Sequence, residues 1–179
     1  GIFNLNGGVG ALYLLKLDSA GTFVWARNLD TLGNTYSTGF VKGDSQGNLF
    51  IVSSISSLTT IIKCDNTGIL IWEKSFGVSS FSLRMVNIDE SGNLFIGGMF
   101  SSITDFDPDA GTTILDAGLG EIFLTKWNPM GQLTWAKNFG GSNNYPVTMA
   151  IADGSNKIIV TGKLANAADF DPGIDSTIL

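Results

Sequence analysis

The chain contains no histidine. Its absence removes the side chain most often used as a general base near neutral pH, and the commonest ligand of transition metals. Cysteine is nearly absent as well. Cys64, between Lys63 and Asp65, has no second thiol for an internal disulfide and no histidine to activate it as a nucleophile. It reads as a small hydrophobe within a strand. Charged residues make up only 15% of the chain, and the net charge is −6. That balance argues against a nucleic-acid partner or an anionic membrane surface. No apolar run approaches the roughly 20 residues of a membrane-spanning helix, so no membrane insertion is expected. No secretory leader is visible, but a chain that opens on Gly1 is silent about secretion.

The chain is rich in glycine, with 23 residues, and 44% of it is hydrophobic, enough for a real core in 179 residues. It also repeats itself. Lys16, Lys63 and Lys126 open near-copies of one phrase: KLDSAGTFVWAR, KCDNTGILIWEK and KWNPMGQLTWAK. A second phrase alternates with it, as DSQGNLFIV from Asp44, DESGNLFIGG from Asp89 and DGSNKIIVTG from Asp153. Six of the ten basic residues fall on two repeat positions: Lys16, Lys63 and Lys126, then Arg27, Lys74 and Lys137. Units of roughly 45–64 residues with four strands each predict an all-β, β-propeller-type chain of four-stranded antiparallel blades.

Each unit divides into strands A to D. Strand A is expected over 38–43, 83–88 and 147–152, with small residues suited to crowding around a narrow channel. Strand B is expected over 49–53, 94–98 and 157–161, as Val/Ile/Phe runs buried on both faces. Strand C is expected over 12–17, 60–64 and 122–127. Strand D carries Phe23 to Arg27, Leu70 to Lys74 and Leu133 to Lys137. The C–D turns, Asp18 to Gly21, Asp65 to Gly68 and Asn128 to Gly131, place an Asx three residues before a glycine, a type I turn signature. Trp25, Trp72 and Trp135 recur at one place in strand D, which suggests a residue packed between blades; a stacking platform for a sugar or base is the alternative.

The phase of the repeats gives a single segment over 1–179. It holds a C–D half blade (1–30), a blade (37–76), a blade with an insertion (81–140) and an A–B half blade (146–179). This amounts to about three repeats: two full blades and two half blades. Closed propellers use about 4–8 blades, so the expectation is a part of a larger propeller, with the remaining blades as its partners. Two chains closing a six-bladed ring is the alternative.

The insertion is where chemistry could reside. Asp105, Asp107 and Asp109 alternate before Gly111, and Asp169 and Asp171 repeat the pattern, with Gly173 at the third position. Alternating acids around a tight turn can supply several oxygens to calcium, which makes these five residues the candidate metal ligands. The competing reading has the aspartates capping loop amides while Phe106 and Phe170 anchor the insertion. No other cofactor and no catalytic residue is indicated. Asp30, Glu73, Glu90 and Glu121 lie outside both turns and insertions and form no repeated pair.

The phrases D-x-x-G-N-x-x-x-x-G, D-F-D-P and D-x-x-G-x-x-x-W-A-K resemble the SBBP repeat, a bacterial β-propeller repeat. The match is strongest over 89–139 and 153–173, and the first unit departs from it by lacking D-F-D-P after Ile55. The resemblance implies a secreted or cell-surface bacterial protein, with a scaffold or binding role and no conserved catalysis. The expected function is therefore a non-catalytic module contacting protein or glycan through loops such as those holding Tyr36 and Tyr145. A calcium-stabilised adhesin-like module and part of a propeller glycoside hydrolase are the alternatives.

Overall fold

In a computed structural model of the chain, the described residues are 4–5, 11–29, 36–55, 58–77, 82–118, 121–141, 145–152, 157–171 and 173; the side chains of 36–38, 55, 145–147 and 150–152 fall outside this description. Among them there are strands and no α-helix. β1 (Tyr13–Leu17) and β2 (Phe23–Asn28) form a two-stranded sheet. β3 (Tyr36–Gly43), β4 (Leu49–Ile55), β5 (Leu58–Cys64) and β6 (Leu70–Phe76) form a four-stranded antiparallel meander. A second meander follows from β7 (Ser82–Ile88) and β8 (Leu94–Phe100). It is interrupted by a small hairpin, β9 (Thr104–Asp105) with β10 (Ile114–Leu115), and resumes with β11 (Glu121–Trp127) and β12 (Leu133–Phe139). β13 (Tyr145–Ala152) and β14 (Lys157–Lys163) form the last two-stranded sheet.

The strands follow the repeat because each connection is the same local device. In the turns at Asp18, Asp44, Asp65, Asp89 and Asn128, the Asx side-chain Oδ1 accepts the amides two and four residues on. The glycine three residues on donates its own amide back to the Asx carbonyl. That glycine sits at a φ of 80–84° in all five turns, a backbone conformation that other residues adopt only with strain. Beside each C–D turn the ladder shifts register by one residue, as between Lys63 and Cys64, whereas the A–B turns at Asp44 and Asp89 show no such shift. The turn at Asp153 lies outside the described residues.

The four sheets stack face to face, with three apolar layers between them. Leu14 and Leu29 meet Ile51, Ile62 and Cys64 on one face of the first full sheet. Phe50, Val52, Ile61 and Phe76 on its other face meet Leu94, Ile96, Phe123 and Trp127 of the second. Met85, Phe95 and Leu124 on the far face of the second meet Met149, with Ile158 and Val160 packed against them. Successive residues of β4, Phe50, Ile51 and Val52, thus enter opposite layers, as the period-two geometry of a strand requires.

Two expectations are corrected. Strand B is buried on both faces in β4 and β8, but β14 is largely exposed because its sheet has only two strands. Strand A is not uniformly small: β7 buries Leu83, Met85 and Val86. The space comes instead from Gly97 and Gly98 of β8. A Cβ on Gly98 would stand well inside contact distance of the Ser82 carbonyl oxygen, which the ladder irregularity between Leu83 and Met85 brings close.

Candidate functional site

A repeated joint holds each sheet to the next. The ring of Trp25 lies against Gly68, and the ring of Trp72 against Gly131; a Cβ on either glycine would fall about 3.0 Å from the indole. Lys16 Nζ donates to the Asn66 carbonyl at 3.1 Å, and Lys63 Nζ to the Pro129 carbonyl at 3.0 Å. The Trp72 indole N–H shares that Pro129 acceptor at 3.3 Å. Lys63 is nearly buried, and its ammonium rests over the Phe50 ring, 4.7 Å from the centroid. The recurring tryptophan and lysine therefore clasp the C–D turn of the following unit. A charged donor on a main-chain carbonyl, covered by an aromatic face, suits a structural role.

The D-F-D-P insertion forms a second joint. Phe106 is fully buried and meets Phe76 of the preceding sheet at 5.8 Å, and Phe100 and Phe123 of its own at 5.3 Å each. Asp109 forms an ion pair with Lys74 of the preceding sheet. In the second copy, Phe170 meets Phe139 at 6.3 Å, and Asp169 bridges to Gly140 through the backbone. Phe76 and Phe139 hold the same repeat position. Leu29 stands there in the unit that precedes the sheet without an insertion.

The five candidate ligands can be placed individually. Asp105 Oδ1 accepts the amides of Asp107 and Thr113, and Asp107 Oδ1 accepts the amide of Asp109. Asp169 Oδ1 accepts the amide of Asp171, whose own Oδ1 accepts the amide of Gly173. Each of these oxygens points at the backbone of its own loop. Among the described residues no group of three or more Asp, Glu, Cys or His side chains is placed to hold a metal ion. Asp175, the further acid near the second copy, lies outside the described residues.

The second copy of the insertion borders a cleft of about 210 Å³, lined by Glu121, Asn138, Phe139, Gly140, Asp169 and Asp171 together with Gly173. Burial raises the Glu121 carboxyl above the usual glutamate range; the hydrogen bond from Asn138 opposes the rise, and Asp116 and Asp169 reinforce it. Asn138 also donates to the Asp116 carbonyl at 3.1 Å. The repeat pattern left Glu121 unassigned. The signal was a departure from it: Glu121 stands where the other units have Ala11 and Leu58.

Elsewhere the titratable groups belong to the fold. Backbone amides lower the carboxyls of Asp18 and Asp65, chiefly those of Thr22 and Ile69. Burial, with help from Asp65, pushes the Cys64 thiol up to about 11, away from nucleophilic use. The loops around Asn28–Thr38 and Asn138–Pro146 are described only in part, and the side chains of Tyr36 and Tyr145 lie outside the described residues. No family model matches the chain, and no curated protein gives a significant match. No helix among the described residues is long and apolar enough to cross a membrane.

Proposed function

We propose that the chain is part of a β-propeller, akin to the SBBP repeat proteins, that serves a secreted or cell-surface bacterial protein as a non-catalytic scaffold and glycan- or protein-binding module. Face-to-face stacking of four-stranded meanders, with a tryptophan clasping the next turn at each full step, supports the propeller reading. The absence of histidine, the raised Cys64 thiol and the use of most aspartates as turn caps support a role without catalysis.

The observation that carries the binding reading is the cleft. Carboxylates of Asp169, Asp171 and Glu121 accept hydrogen bonds, the Asn138 Oδ1 accepts as well while its two N–H groups are held by Glu121 and the Asp116 carbonyl, and Phe139 offers one apolar wall. That set suits a ligand rich in hydroxyl groups, and of the two partner classes it favours a glycan. A glycan array probed with the 1–179 chain tests this. Retention of a defined glycan, weakened about tenfold or more by Asp171→Ala, is the expected result, since a lost charge-assisted hydrogen bond is worth ~1.5–3 kcal/mol. An array without retained glycans would overturn it. Turnover of a bound glycan that disappears in Glu121→Gln would replace it with the hydrolase reading.

A further inference from the structure

The two copies of the insertion differ at a position that bears charge. Asp109 of the first stands where the second has Gly173. The lysines that face them, Lys74 and Lys137, hold one repeat position, two residues after Trp72 and Trp135. In the first copy the Asp109 carboxylate pairs with Lys74 of the preceding sheet. Its frame is fixed: the Asp109 amide donates to Asp107 Oδ1, and the ring of Phe76, two residues beyond Lys74, meets Phe106. The second copy repeats that frame. The Gly173 amide donates to Asp171 Oδ1, and Phe139, two residues beyond Lys137, meets Phe170. Alternation along β12 puts Lys137 on the same face as Phe139. Glycine brings no carboxylate to it.

Lys137 is thereby set apart from its counterparts. At the same repeat position, the Arg27 guanidinium lies 5.8 Å from the centroid of the Trp25 ring and donates to the Ala26 carbonyl at 3.3 Å. Lys74 has Asp109. The Lys137 side chain is exposed and has neither an ion pair nor a ring contact among the described residues. The cleft opens at this place, since Phe139 and Gly173 both line it. Its other side chains, on Glu121, Asn138, Asp169 and Asp171, present acceptor oxygens.

We propose that the glycan taken by this cleft is an acidic one, an inference that rests on the glycan reading of the site. A hexuronic acid places its carboxylate on Lys137, as Asp109 places its own on Lys74, while its hydroxyl groups donate to the oxygens of Glu121, Asn138 and Asp171. Asp169 and Asp171 do not bar the anion. Their counterparts, Asp105 and Asp107, flank the Asp109 carboxylate in the first copy, and all four direct an oxygen at loop amides. The ligand thus completes in the second loop the ion pair that the chain makes for itself in the first.

Titration calorimetry of the 1–179 chain at low salt tests the proposal. The probes are a glucuronic-acid oligosaccharide and the same oligosaccharide with its carboxyls reduced to alcohols. The acidic form should bind about three- to fivefold more tightly or better, the scale of a part-exposed ion pair, and the advantage should shrink in high salt. Lys137→Gln changes an exposed side chain and should remove the advantage without altering affinity for the reduced form. Gly173→Asp restores the residue of the first copy and should remove it too, by supplying the carboxylate from within. Lys74→Gln, at a lysine already paired, should leave the preference intact. Equal affinity for the two oligosaccharides, or a preference that survives Lys137→Gln, overturns the inference and leaves the glycan reading standing. Binding of neither, together with an array that retains no glycan, removes both. Asp175 lies outside the described residues; a stronger preference for the acidic form in Asp175→Asn would show that the chain itself supplies the carboxylate, and would overturn the proposal.

Discussion

Replacing Phe106 by alanine separates the anchoring role of the insertion from a metal-binding one. The ring is fully buried among Phe76, Phe100 and Phe123, with centroids 5.3–5.8 Å away. Transfer of a phenylalanine side chain from water contributes ~1.5–3 kcal/mol. The cavity left behind and the lost aromatic contacts bring the total for Phe106→Ala to about 3–5 kcal/mol. For a chain of this size that lowers the melting temperature by roughly 6–20 °C. Asp107→Asn keeps a side-chain oxygen for the Asp109 amide, so it should cost no more than about 0.5 kcal/mol. Urea unfolding followed by tryptophan fluorescence measures both. A loss below about 1 kcal/mol for Phe106→Ala, or an equal loss for Asp107→Asn that appears only when calcium is present, would refute the reasoning.

Other outcomes follow from the same geometry. Gly98→Ala must displace the Ser82 carbonyl and should destabilise by at least ~1–3 kcal/mol, far more than the same change at exposed Gly43, where the nearest atom lies 3.8 Å away, as read by thermal unfolding. The folded carboxyl of Glu121 is raised above its ordinary value of 4.5, so within that window the folded state binds more protons than the unfolded one. Its contribution to stability therefore falls as pH rises from 4.5 through the raised value, and Glu121→Gln, measured by unfolding across pH 4–8, should remove that fall; identical pH profiles would contradict it. Calorimetric titration with calcium should give no heat and no rise in melting temperature, because Asp105, Asp107, Asp169 and Asp171 already direct an oxygen at loop amides.

The regular parts of the fold were legible because one solution is used repeatedly. The Asx–Gly turns fixed strand ends to within one or two residues, and the fixed place of Trp25 and Trp72 pointed to contact between sheets. Three features escaped for a common reason: they depend on a single unit's departure from the pattern. Trp127 fills the position of Leu17 and Cys64, where it packs 4.9 Å from Phe76 and donates its indole N–H to Thr125 Oγ1. Gly97 and Gly98 read as ordinary strand residues until the close approach of Met85 and Ser82 is seen. The cleft sets Glu121 and Asn138, which belong to no motif, beside Asp169 of the D-F-D-P segment, a juxtaposition that no spacing in the sequence announces. The acids of D-F-D-P formed the more conspicuous pattern, yet all four direct an oxygen at their own loop amides.

The central claim is that successive sheets are joined by a tryptophan lying over the glycine of the next C–D turn. Nuclear Overhauser spectra of the isotope-labelled chain test it directly. Cross-peaks from the Trp25 ring to the Gly68 Hα protons, and from the Trp72 ring to those of Gly131, with both glycine signals moved upfield by the indole ring current, are the predicted result. A folded chain whose strand ladders are intact but whose two tryptophans show neither contact would contradict the account.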